Sequence, residues 1–128
     1  MKALLDTQTF LWWNLDSPEL STSASDFIAE GENILFLSAA SAWEIAIKFS
    51  KGRLKLPEDP DQYVGNRMDH NKFQALPVQV SHALYVCKLP PIHQDPYDRL
   101  LIAQSILEDL PILTSDLEIR KYEVGVIW

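Results

Sequence analysis

Two rhythms of apolar residues run along this chain. Short apolar runs of strand length occupy residues 2–5, 33–37, 73–76, 111–114 and 123–127, and the segments between them repeat apolar positions at helical spacing. Helices are expected over 7–15, 21–29, 39–50, 59–71, 81–88 and 96–110, with one further turn of helix after Asp116. Phe10, Leu11 and Trp13 mark the first helix, which ends before Pro18. Gly31 closes the second, and Gly52 lies just past the third, where Ala42, Trp43, Ala46, Ile47 and Phe49 form the expected buried stripe. Pro60 opens a polar helix, and Pro90-Pro91 stop the one over 81–88.

Short buried strands alternating with amphipathic helices imply an α/β fold, a parallel sheet covered on both faces and joined by right-handed crossovers. In such a sheet ligands gather beyond the carboxyl ends of the strands, where strand order reverses. Four acids stand at the places this rule singles out. Asp6 and Asp116 follow strands, Glu44 lies in the helix after the second strand, and Asp98 begins the helix that leads into the last pair of strands. All four are expected to point into one crevice.

Composition bounds the function. With 128 residues, 47% hydrophobic and 23% charged, the chain has the makeup of one globular domain spanning 1–128. The run Phe10-Leu11-Trp12-Trp13 is too short to span a bilayer and Asp6 interrupts the apolar start, so no membrane association and a cytoplasmic location are expected. The single Cys87 has no disulfide partner within the chain and reads as inert core. A net charge of −7 argues against a generally basic, nucleic-acid-coating surface, although cations bound among the acids would neutralise part of it. Basic residues concentrate at Lys48, Lys51, Arg53 and Lys55, which also suits the carboxyl end of a helix.

Carboxylates crowded together must either protonate or share a cation. Oxygen-only ligands suit Mg²⁺ or Mn²⁺, and a water bound to such an ion becomes a nucleophile while the ion offsets charge on a phosphodiester. Hydrolysis of a phosphodiester by a metal-activated water is the implied reaction. No side-chain nucleophile with a neighbouring base competes with it. Each acid also has a plainer account: Asp95-Pro96-Tyr97-Asp98 fits a helix N-cap, Glu44 has Lys48 four residues on, and Asp6 and Asp116 suit helix caps. One metal site covers all four together. His70, His82 and His93 lack paired zinc-ligand spacing and read as structural or surface residues, and the tryptophans read as packing residues, Trp12 or Trp13 near Asp6 being the ones placed to stack on a base as well.

Leu4-Leu5-Asp6-Thr7, the Ser41-Ala42-Trp43-Glu44-Ile45 helix, the run from His93 to Gln104 and Ile112-Leu113-Thr114-Ser115-Asp116 together resemble the motifs of PIN-domain proteins of the VapC toxin type. The resemblance covers nearly the whole chain in order, and the stretch from Asp95 to Gln104 is its most specific part. It implies a three-layer α/β/α sandwich around a central, mostly parallel five-stranded sheet. It also implies a Mg²⁺- or Mn²⁺-dependent endoribonuclease acting on RNA, the toxin of a toxin–antitoxin pair restrained by a cognate antitoxin, and commonly a homodimer. Asp6, Glu44, Asp98 and Asp116 match the family's acidic quartet, and Thr7 and Ser115 match small polar residues that orient it by hydrogen bonds. Either Asp95 or Asp98 can serve as the third acid. Register with Ala103 and Ser105 favours Asp98 and leaves Asp95 as a cap or helper, while Glu118 either supplements Asp116 or faces solvent.

Other α/β readings fail on single residues. A haloacid-dehalogenase phosphatase needs a second aspartate where Gln8 stands, a receiver domain needs acids where Thr7 and Pro77 stand, and a metal-dependent adhesion fold needs serine at Gln8. The surviving rival is a catalytically silent PIN-like domain that binds RNA or a protein partner without cutting.

Overall fold

A computed structural model describes residues 1–128. Its strands are β1 (Lys2–Leu5), β2 (Ile34–Ser38), β3 (Gln74–Leu76), β4 (Ile112–Leu113) and β5 (Val126–Ile127). They form one sheet in the order β3-β2-β1-β4-β5, and every pairing is parallel. The mostly parallel sheet expected from the sequence is parallel throughout. Helices α1 (Thr7–Asn14), α2 (Thr22–Ala29), α3 (Ala39–Ser50), α4 (Pro60–Asn71), α5 (Val80–Tyr85), α6 (Pro96–Glu108) and α7 (Leu117–Arg120) connect the strands.

The period-two alternation of the strands divides the core into two layers. Ala3, Leu5, Leu35, Leu37 and Leu113 turn to one face and pack with Phe10, Ala24, Ile28, Tyr63 and Val64 of α1, α2 and α4. Leu4 and Ile112 turn to the other, with Leu101 and Ile102 of α6 and Ile119 of α7. Local capping fixes where each connection turns: Asp6, Ser21, Ser38, Asp95 and Asp116 each accept a backbone N–H at the start of the helix that follows. Gly52, at φ 70°, takes the left-handed conformation just past α3 that a side chain would resist.

Helix α3 departs from the expected orientation. Ala40, Ser41, Glu44 and Ile45 are its buried residues, whereas Trp43 is 55% exposed. Ala40 packs with one core layer and Ile45 with the other, so α3 bridges the two layers. Its sequence is apolar on several sides, and periodicity alone therefore picked the wrong stripe. Cys87 is also corrected: it lies exposed in a single 3₁₀ turn, Val86–Lys88, that follows the shorter α5. No helix is long and apolar enough to cross a membrane.

The layered packing makes a direct prediction. Leu4 is fully buried, so Leu4→Ala should lower unfolding free energy by about 2–5 kcal/mol in a urea titration. The exposed Leu15 changed to Ala should stay within roughly 0.5 kcal/mol of the parent.

Candidate active site

Strand order reverses between β1 and β4. From β1 the chain builds outward through β2 and β3, then returns to lay β4 and β5 on the opposite side. Connections leaving β1 and β4 therefore diverge and leave a crevice at the carboxyl edge. Asp6 follows β1 directly, and Thr114-Ser115-Asp116 follow β4. A cleft of about 450 Å³ opens there, lined by Asp6, Glu44, Asp95, Asp98 and Asp116 together with Thr7, Ser115 and the cations Lys48 and Arg53.

Each acid reaches the cleft by a different local device. Asp6, 8% exposed, uses Oδ1 to accept the Gln8 N–H at 2.9 Å and Oδ2 to accept the Thr114 hydroxyl. The same Thr114 oxygen accepts the Asp116 N–H at 3.0 Å, so one hydroxyl joins the two strand ends. Asp116 in turn accepts the Glu118 N–H at 2.8 Å and caps α7. Glu44 projects from the side of α3, 6% exposed, and accepts from Lys48 one turn later. Asp98 sits in the first turn of α6 and meets His93 Nε2 at 3.1 Å through Oδ2. Asp95 is the cap of that helix, accepting the N–H groups of Tyr97 and Asp98 at 2.9 and 3.1 Å.

The electrostatics follow from burial and crowding. Burial pushes the Asp6 carboxyl above the ordinary aspartate range, and the charges of Asp116 and Glu44 push it further; hydrogen bonds from Thr114 and the Gln8 N–H oppose both. Asp98 is pushed up to about 7, first by burial and then by Asp95, Asp6 and Asp116, against the bond from His93. Lys48 is raised chiefly by its bond to Glu44, with Asp95 and Asp98 adding to it. No three of the acid, histidine or cysteine side chains close into a ready-made cation cage. The donor set nonetheless fits a hard cation, being all carboxylate oxygen, and a cation would offset both the burial of these charges and their smaller mutual repulsion.

Thr7 and His93 make contacts that the sequence did not announce. Thr7 donates to Ser41 Oγ at 2.8 Å, tying α1 to α3, and the hydroxyl that orients Asp6 belongs to Thr114. Ser115 lines the cleft. His93, read as structural or surface, contacts Asp98; its five-residue offset matches no helical or strand repeat, so spacing gave no signal. Glu118 pairs with Lys121 at 3.1 Å on the surface.

The family model described as PIN domain matches residues 3–125. The chain belongs to the PIN-domain family. Within this PIN domain, a 56-residue stretch is 43% identical to Ribonuclease VapC16 of Mycobacterium tuberculosis, taking in 44% of this chain and 38% of that protein. The chain thus spans well under two thirds of that relative. In fold, the PIN domain is similar to a chain of the crystal structure of VapBC2 from Rickettsia felis bound to a DNA fragment from their promoter. That likeness has a TM-score of 0.70 at 13% identity and covers 98% of this chain and 97% of the other. FitAcB from Neisseria gonorrhoeae gives 0.63 at 18% identity over 98% and 96% of the two chains.

The raised Asp98 makes the metal-free PIN domain lose stability as pH rises from about 4 toward about 7. Asp98 keeps its proton in the folded state up to about 7, whereas the unfolded chain releases it near the ordinary value of about 4. The folded state therefore binds more protons in that window, and stability falls as pH rises through it. In chelator, the parent melting temperature should drop between pH 5 and 8 by several degrees more than that of Asp98→Asn, followed by circular dichroism. An equal drop in both would show that Asp98 is not the source.

Proposed function

We propose that this PIN-domain protein is a metal-dependent endoribonuclease of the cytoplasm, the toxin of a toxin–antitoxin pair, with Asp6, Glu44, Asp98 and Asp116 as its catalytic and metal-holding acids. One observation carries the reading: acids from four separate elements line a single cleft with two cations, Lys48 and Arg53, on its wall. Glu44 and Asp98 cap no helix, yet they line the same cleft as the capping acids Asp6, Asp95 and Asp116. Mg²⁺ or Mn²⁺ held by the four carboxylates would supply Lewis acidity for phosphodiester hydrolysis.

The chain's own residues set the terms of that chemistry. Thr114 holds Asp6 and the Asp116 backbone in a fixed relation, so two of the acids are oriented before any ligand arrives. Lys48 and Arg53 give a phosphate backbone a point of attraction on an otherwise acidic molecule of net charge −7. Asp95 supports the site by anchoring the first turn of α6, which carries Asp98. Thr7 and Ser115 contribute polar wall.

Similarity to a protein named a ribonuclease supports RNA as the substrate. The fold likeness to chains of VapBC2 and of FitAB bound to a DNA fragment supports a cognate antitoxin as partner, and the surplus of negative charge in the cleft suits a basic side chain from it. A homodimer is supported by exposed apolar side chains: Val80 and Leu84, one turn apart on α5, are 76% and 68% exposed, and Trp43 stands out on α3.

Purified protein incubated with structured RNAs should cleave them in Mn²⁺ or Mg²⁺ and leave them intact in chelator. Asp6→Asn and Asp98→Asn should each lose more than roughly 100-fold in rate, beyond the usual cost of disturbing a mere supporting residue. Cleavage in chelator, or full activity in both variants, sinks the mechanism; Mn²⁺ binding without cleavage of any RNA would favour the non-cutting reading. Light scattering should give twice the 14.6 kDa chain mass, and Leu84→Glu should return the protein to the monomer.

A further inference from the structure

Asp98 is the cleft acid held by an imidazole, and that imidazole is itself held. His93 Nε2 lies 3.1 Å from Asp98 Oδ2, and His93 Nδ1 lies 2.8 Å from the Tyr122 hydroxyl. The histidine and aspartate side chains are only 14% and 16% exposed, and Tyr122 is 4% exposed. Behind them stands Arg99. Its guanidinium donates to the Tyr122 hydroxyl at 3.0 Å, to the Pro90 carbonyl at 2.9 Å and to the Val86 carbonyl at 3.2 Å, clamping the segment that leads to His93.

Proton counting fixes the direction of the chain. Arginine has donors only, and the His93 backbone N–H also donates to the Tyr122 oxygen, at 3.4 Å. Both fill acceptor positions on the phenol, whose own proton is left for His93 Nδ1. A neutral imidazole accepting at Nδ1 carries its proton at Nε2, which faces Asp98. Asp98 Oδ2 is thus engaged by the His93 Nε2–H, and Asp98 itself lines the cleft. Arg99, the next residue on α6 after Asp98, secures the group that orients its neighbour.

We propose that His93 is a positioning residue for Asp98, with Tyr122 and Arg99 fixing its tautomer, so that Asp98 presents one chosen oxygen to the cation. The role rests on the metal reading above. Hydrogen bonds from outside a metal's ligands commonly change affinity by about 10- to 100-fold when removed. Its test uses the full chain, stripped by chelator and dialysed, with two readouts. In nitrogen-15 NMR, His93 of the parent should report the Nε2–H tautomer, and Tyr122→Phe should shift it toward a mixture. In calorimetric titration with Mn²⁺, His93→Ala should bind about 10- to 100-fold more weakly than the parent. His93→Gln, which keeps an N–H donor, should recover part of the loss, and Tyr122→Phe should fall between.

An Nδ1–H tautomer in the parent would overturn the proposal. So would unchanged Mn²⁺ affinity in His93→Ala and Tyr122→Phe, even if both melt at lower temperature, since that is the behaviour of a structural clamp. A parent chain that binds no Mn²⁺ overturns the metal reading and this role together, and is told apart from the previous outcome by the parent titration alone.

Discussion

Leu4 and Leu5 pair with Ile112 and Leu113, far away in the sequence, and this short ladder governs everything at the carboxyl edge. Without it Asp6 has no Thr114 beside it, and the reversal of strand order that opens the cleft does not exist. The ladder is driven by burial: all four leucine and isoleucine side chains are inaccessible to solvent, alternating between the two core layers. Apolar packing below thus holds together charges above that repel one another. Marginal net stability makes that a real opposition, because repulsion among buried acids weighs directly against a small total.

Helix capping and acid clustering are a single arrangement here. Asp6 and Asp116 give one oxygen each to a backbone N–H, which stabilises the helix start and leaves further acceptor capacity for the cleft. Both occur at the strand-to-helix joints because a parallel sheet with short connections puts its helix N-termini at the same edge as its strand ends. Positive helix ends and unpaired backbone N–H groups there favour negative charge. The edge is therefore electrostatically suited to anions even before any cation enters.

Much of this was legible in the amino-acid sequence, for identifiable reasons. Strands β2 and β4 are runs of Leu, Ile and Phe with no competing helical period, and the Asp95-Pro96 pair marks the start of α6. Asp6, Glu44, Asp98 and Asp116 were readable as a group because topology alone predicts which edge they share. What escaped depended on side-chain direction or on contacts between distant elements. The Glu44–Lys48 spacing suggested a solvated face, yet Glu44 is buried, because α3 bridges the two core layers rather than lying on one. Trp43 looked like core for the same reason. Thr114 and His93 were overlooked since a hydroxyl or imidazole announces no partner until the fold has brought one within reach.

The lengths of the acids now have an explanation. Aspartate at positions 6, 95 and 116 must fold back onto an N–H two residues ahead, a reach that a single methylene allows and that a longer side chain overshoots. Glu44 carries no such duty; standing on the flank of a helix, it needs the additional carbon to extend into the cleft. Asp and Glu are accordingly not synonyms in this protein. Lengthening one of the three capping acids would conserve every charge and still disconnect a helix from the turn that aims it.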